Sequence, residues 1–437
     1  MADELCAGDT CGTIDFRAPA FLRAHIAAIL AFYRGAECDP RGGMFHGYRD
    51  DGSVYDPRTR HLVSSARFVF NHAMAWRHFG DAYHRDAMRH ALGFLQRAHR
   101  GADGRYAWEL DWDGCRAAVR DPAQRSYGLA FVLLAHAHAR LAGEADADPD
   151  AVFETLQMRF WEPRHGLYAD EADDAWRIGP YRGQNANMHA CEAMLAAFDA
   201  TGSFRYVQHA LRLADAVVRG LGAQCGGLVW EHYRSDWSAD WDYNRGHRED
   251  LFRPWGVQTG HLTEWAKLLL QLEQRLPPDQ RPPWLLQRAK SLFAAAMRHG
   301  WDERHGGLIY GFAPDGSAYD TDKHFWVHAE SFAAAAALAV RTGDPAYWDW
   351  YTRIWQVAWR NLVDHRHGGW YRVRGADFAP LDDRKSPPGK TDYHTMGACY
   401  EVLHWLGQEP SPRTPWTRAA PEPGGGEDRS APGAATV

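Results

Sequence analysis

Residues 304–320 read RHGGLIYGFAPDGSAYD, and residues 366–378 repeat the opening as RHGGWYRVRGADF. In each, a Gly pair precedes alternating aromatic and apolar residues, the signature of a short strand entered through a tight turn. Four further stretches share the pattern: GGMFHGYRDDGSVYD from Gly42, DGRYAWELDWDG from Asp103, RHGLYADEADDAW from Arg164 and CGGLVWEHYRSDW from Cys225. Taking the Gly before the run as marker gives Gly43, Gly104, Gly166, Gly227, Gly307 and Gly369, separated by 61, 62, 61, 80 and 62 residues. A fixed period with one insertion means a repeat architecture of six units, each opening on a short β-hairpin.

Apolar residues at i, i+3, i+4 spacing predict two helices per unit. The twelve run from Ala18 to Tyr33, Arg60 to Phe79, Tyr83 to His99, Arg125 to Leu141, Ala151 to Trp161, Gln184 to Thr201, Phe204 to Val218, Thr259 to Arg275, Trp284 to His299, His324 to Arg341, Ala346 to Leu362 and Thr391 to Leu406. A lone helical pair cannot bury its apolar face, so six pairs must stack or close into a ring. Six near-equal units predict closure: an all-α (α/α)6 barrel with short hairpins at one end, the helix after each hairpin inner and its successor outer. The long fourth interval contains the Pro-rich loop QRLPPDQRPPW and extra residues from Ser235 to Phe252, which are expected to cover the mouth of the ring. The barrel is assigned to residues 16–407, with a flexible segment at 1–15. The Pro/Gly/Ala-rich stretch 408–437 is read as a disordered tail.

Composition narrows the function. A net charge of -7 and the lack of a Lys/Arg stripe interleaved with aromatics argue against nucleic acid. No stretch is apolar enough to span a membrane, and the acidic N-terminus does not resemble an export signal, so a cytoplasmic location is expected. Seven cysteines without a CxxC pair fit free thiols; Cys6 and Cys11 lack the neighbours a metal site needs. Twenty Trp lean toward carbohydrate, because indole faces stack on pyranose rings.

If every hairpin leads into its inner helix in the same way, residues at one offset from the marker point to one place. Offsets of 23 to 25 fall on Arg67, Tyr127, His189, Glu330 and His394; the unit with the insertion reaches His261 at offset 34. Any one of these histidines reads most simply as a satisfied core residue. Five polar groups in one phase, with His261 near the start of its own inner helix, instead require a polar ligand. Histidine titrates near neutrality, so a pair flanking a bound sugar can remove and return the proton beside a carbonyl, as epimerisation and aldose–ketose isomerisation both demand. Glu264 lies one helical turn after His261, where it can hold a substrate hydroxyl. HExxH, GxSxG, P-loop and dinucleotide-binding patterns are missing, and the phased positions offer imidazoles where a glycosidase would need two carboxylates. No metal and no cofactor are expected.

At these residues the sequence resembles the N-acylglucosamine 2-epimerase superfamily, and within it the bacterial branch acting on free mannose. The segments are RFVFN from Arg67, QNANMHACEAMLAAFDATG from Gln184, FRPWGVQTGHLTEWAKLLL from Phe252, KHFWVHAESFAAAA from Lys323 and DYHTMGACYE from Asp392. The resemblance implies an (α/α)6 barrel, no required cofactor, a monosaccharide substrate and a cis-enediol intermediate. It makes His261 and His394 the acid/base pair. Arg67, His189 and Glu264 become substrate contacts, with Asn187, Trp326 and Glu330 as additions. The implied reaction interconverts D-mannose and D-fructose, with D-lyxose and D-xylulose as a second pair. The alternative is 2-epimerisation of glucose, cellobiose-type or N-acylglucosamine substrates, and a non-catalytic protein-binding ring is a third reading. A monomer or homodimer is expected. The neighbours of His394 in KTDYHTMGACYE depart from the pattern of the branch.

Overall fold

The computed structural model describes residues 14–247, 250 and 252–408. The expectations for segment 1–15 up to residue 13, for Cys6 and Cys11, and for the tail beyond residue 408 lie outside the described residues. Among the described residues, twelve α-helices of at least 11 residues alternate with short strands. They are α1 (Pro19–Tyr33), α2 (Leu62–Phe79), α3 (Ala82–Phe94), α4 (Ser126–Leu141), α5 (Pro149–Phe160), α6 (Gln184–Thr201), α7 (Phe204–Ala214), α8 (Thr259–Arg275), α9 (Trp284–Gly300), α10 (Phe325–Thr342), α11 (Pro345–Asn361) and α12 (Tyr393–Trp405).

The even-numbered helices form the inner ring: α2 packs on α4, α4 on α6, α6 on α8, α8 on α10, α10 on α12, and α12 back on α2. Each odd-numbered helix lies outside an inner one. The sequences explain the division. The outer helix α7 buries one stripe, Tyr206, Val207, Ala210, Leu213 and Ala214, with polar residues elsewhere. The inner helix α10 is buried almost all round, and its run Ala333–Ala337 presents no long side chain to hold its neighbours apart. An inner helix passes to its outer partner through a tight turn, as at Gly80 followed by the N-cap Asp81, whose carboxylate accepts from the Tyr83 N–H.

The six marker glycines share one conformation, with φ between 68° and 90°. A Cβ is disfavoured there, and this is the physical reason the repeat is visible as Gly. The strands that follow are too short to stand alone. Hairpins form within the first, second and fifth units, while the third, fourth and sixth close on single bridges. What stabilises all six is pairing across units. Thr59–His61 pairs with Glu109–Trp112, Gln124–Arg125 with Glu171–Ala172, Arg182–Gly183 with His232–Tyr233, Val257–Gln258 with Gly311–Phe312, and Lys323–His324 with Val373–Arg374, all antiparallel. The sixth link is the reciprocal pair of backbone hydrogen bonds between Tyr48 and Ser386, both 3.0 Å, which joins the first unit to the last.

This pairing also moves helix starts, among them those expected at Arg125 and His324, which fall at Ser126 and Phe325. The second helix begins at Leu62 rather than Arg60 because Thr59–His61 belongs to a strand. The last begins at Tyr393 rather than Thr391 because Thr391 and Asp392 are left-handed, with φ of 47° and 51°. Among the described residues no helix is long and apolar enough to cross a membrane.

Candidate active site

The phased side chains sit in the first two turns of the six inner helices: Arg67 on α2, Tyr127 on α4, His189 on α6, His261 on α8, Glu330 on α10 and His394 on α12. Closure brings these turns around one cavity of about 110 Å³, whose wall includes Arg67, Tyr127, His189, His261, Glu264, Trp326 and His394. The rings of His189 and His394 are 6.3 Å apart, and Trp326 lies 5.0 Å from His261 and 5.7 Å from His394 between ring centroids. Six inner-helix N-termini converge here, so their dipoles favour negative charge developing on a ligand. Phe252, at the end of the long insertion, reaches the cavity wall and stacks on His61 at 5.5 Å.

Each of the three phased histidines is backed by a carboxylate. His261 Nδ1 lies 2.9 Å from Glu231 Oε1, His394 Nδ1 2.7 Å from Glu330 Oε1, and His189 Nδ1 2.9 Å from Glu192 Oε2. An ionised carboxylate only accepts, so each pairing places the proton on Nδ1 and turns Nε2 outward. For His394 the other side agrees: Nε2 is 3.3 Å from Nη2 of Arg67, which can only donate. Glu231 is itself held by Gln184, whose Nε2 donates to Glu231 Oε2 at 2.9 Å. The Gln184 amide is oriented by the Trp265 indole N–H donating to its Oε1 at 2.8 Å.

Burial sets the charge states. It lowers the His394 imidazole to about 4, despite the Glu330 hydrogen bond that pulls the other way, so burial favours the neutral ring at physiological pH. His189 is lowered for the same first reason. Glu264 is 1% exposed, and neither carboxyl oxygen has a hydrogen-bond partner within the protein. Burial, reinforced by the charge of Glu330, raises it well above the usual carboxylate range. A protonated, unpartnered carboxyl in the wall of a cavity can both donate to and accept from a hydroxyl.

Two residues expected to contact substrate lie outside the cavity wall. Asn187 is fully buried and outside the cavity wall: Oδ1 accepts from the Tyr168 N–H at 2.7 Å, and Nδ2 donates to the carbonyls of Tyr168 and Gly183. Its amide is spent pinning the third hairpin to α6. The residue of NAN that lines the cavity is Asn185, whose Oδ1 has no partner. Glu330 stands behind His394 rather than in the wall. Sequence reasoning missed Glu231, which lies in the hairpin segment VWEHY with no helical phase to mark it. It also missed Glu192, which i+3 spacing from His189 does mark.

The departure around His394 has a structural reading. The left-handed pair Thr391–Asp392 costs about 1–2 kcal/mol per residue in an isolated chain. Here Asn71 donates to the Thr391 carbonyl at 2.7 Å, while Tyr33 and Lys390 both donate to Asp392 Oδ2 at 2.6 Å. These contacts fix the start of α12 and thereby aim His394 into the cavity.

Fold and site together define an (α/α)6 barrel whose inner-helix N-termini carry three carboxylate-backed histidines around one cavity. The model of the N-acylglucosamine 2-epimerase (GlcNAc 2-epimerase) family matches residues 43–398, and the chain belongs to that family. It is 48% identical over 395 residues to a D-mannose isomerase of Marinomonas mediterranea, an alignment covering 90% of this chain and 98% of that protein. A crystal structure of D-mannose isomerase superposes with a TM-score of 0.86 at 47% identity, covering 90% of this chain and all of the other. The cellobiose 2-epimerase of Spirochaeta thermophila, at 23% identity and a TM-score of 0.78, shares the fold.

Proposed function

We propose that the chain is an aldose–ketose isomerase that interconverts D-mannose and D-fructose through a cis-enediol. One observation carries this reading: two histidines with a carboxylate beside Nδ1, His261 and His394, lie on either side of Trp326 in the wall of a cavity that also holds the buried carboxyl of Glu264. The likeness to D-mannose isomerases supports the choice of sugar. The Nε2 of one imidazole takes the C2 proton of the open-chain aldose and delivers it to C1 while the O2 hydroxyl proton passes to O1 through the enediol, and the other imidazole assists ring opening. Arg67, beside His394, meets the charge that grows on the enediol oxygens. Glu264 and Asn185 hold sugar hydroxyls, and Trp326 supplies the apolar platform.

The test is an NMR time course of mannose with the protein in D2O. Fructose should accumulate with deuterium entering C1; absence of both ketose and exchange removes the proposal. Membership of an epimerase family keeps 2-epimerisation as the second reading, and it requires glucose to become mannose without ketose accumulating.

A further inference from the structure

Behind the catalytic cavity, toward the C-terminal ends of the inner helices, lies a second cavity of about 290 Å³. The layer separating the two contains Glu192, Glu264, Lys267, Glu330 and His394. Lys267 sits on α8 one turn beyond Glu264 and is 4% exposed. Its Nζ is 2.5 Å from Glu330 Oε2, on the carboxylate whose other oxygen faces His394. The charged and titratable groups facing it are Glu264 on its own helix, Glu330 on α10, Glu192 on α6, and Glu401 and His394 on α12.

A buried cation bonded to one of several buried carboxyls favours ionisation of that one over its neighbours. Lys267 binds Glu330 and leaves Glu264 without a hydrogen bond, its Oε1 lying 3.8 Å from His189 Nδ1. We infer that Lys267 is a positioning residue for catalysis: it keeps Glu330 anionic, which locks the His394 proton on Nδ1 and leaves Nε2 as the base that meets substrate, while Glu264 remains a neutral hydrogen-bonding acid. Without the cation, Glu330 takes up a proton more readily and can donate it to Nδ1. The His394 tautomer then reverses, and Nε2 can no longer accept. Burial opposes ionisation of Glu330, and the Lys267 charge, followed by the His394 hydrogen bond, outweighs it, so that Glu330 is held below the usual carboxylate range.

The inference rests on His394 being an acid/base residue of the proposed isomerisation, but its first test does not require turnover. In 15N-histidine spectra the wild-type His394 should show its proton on Nδ1, and Lys267→Met should move it to Nε2, whereas Lys267→Arg should keep the wild-type pattern. In kinetics, Lys267→Met should lower kcat by about tenfold or more with KM little changed, on the scale of a disturbed general base. It should also move the acid limb of the kcat profile to higher pH, and Lys267→Arg should restore its position. A merely structural lysine would change stability without moving tautomer or limb, and that result overturns the inference. Should Lys267→Met fail to fold, the comparison of Glu330→Gln with Glu330→Gln/Lys267→Met decides. If Lys267 acts through Glu330, the second substitution adds less than about a twofold loss, while multiplied losses contradict it. A wild-type protein that shows the Nδ1 tautomer yet no sugar turnover removes the proposed function and leaves the Lys267 role standing.

Discussion

At the scale of single residues, histidine divides into two populations that composition cannot separate. His25, His46, His136 and His328 each accept a hydrogen bond from an N–H group: the Trp370 indole, the His61 amide, the Asp148 amide and the Leu308 amide. These are structural acceptors, the reading a lone histidine deserves. His189, His261 and His394 instead have carboxylates on Nδ1 and a cavity on the other side. Phase relative to the marker glycines, legible in the sequence, places these three at one cavity. The carboxylates behind them were less legible, because Glu231 and Glu330 reach their partners across 30 and 64 residues. His261→Ala and His394→Ala should each reduce turnover at least about a hundredfold, the usual scale for a lost general acid or base, with circular dichroism unchanged. Wild-type turnover in either variant removes that residue from the mechanism.

At the scale of elements, α8 and α10 approach each other closely at Gly260 and Trp326. A Cβ on Gly260 would lie 2.2 Å from the Trp326 ring and 2.7 Å from a second ring atom. Helix propensity favours Gly260→Ala by about 1 kcal/mol, but overpacking of this kind typically costs about 1–3 kcal/mol. The steric term decides the sign. Gly260→Ala should lower Tm and, because the displaced ring is the platform between His261 and His394, raise KM for the sugar. A variant with both Tm and KM at wild-type values would show that Trp326 has room to move. The elements themselves were readable from apolar spacing, as were their inner and outer placement. Their starts at Leu62 and Tyr393 were not, since a strand partner and a left-handed pair set those boundaries.

At the scale of the whole molecule, the ring buries many neutral imidazoles and so is built to fail in acid. Burial lowers His61 and His72 to about 3 and His25 and His99 to about 4, from an ordinary value of 6.5. The unfolded chain binds these protons below about pH 6.5 and the folded chain does not, so the stability from neutral burial is complete above that pH and is lost as pH falls toward the folded values. Each such group costs about 2 kcal/mol at pH 5 relative to pH 7, a large part of the roughly 5–15 kcal/mol that holds a protein folded. Tm should therefore fall steeply between pH 6.5 and 5, well above the range where ordinary carboxylates protonate. A Tm constant down to pH 5 would show that these rings are protonated or hydrated in the native state.

The sequence by itself determined the number of units, the helices within them and the face on which polar residues gather, because left-handed glycines, helical spacing and a common offset are all properties of neighbouring residues. Only the tertiary structure decided which polar groups meet: that Asn185 rather than Asn187 faces the cavity, that Glu231 and Glu330 stand behind their histidines, and that Lys267 pairs with one carboxylate and not the next. Those outcomes depend on closure of the ring through Tyr48 and Ser386 and on burial. Burial fixes the charge of every group it encloses, and it is a property of the assembled barrel that no single segment carries.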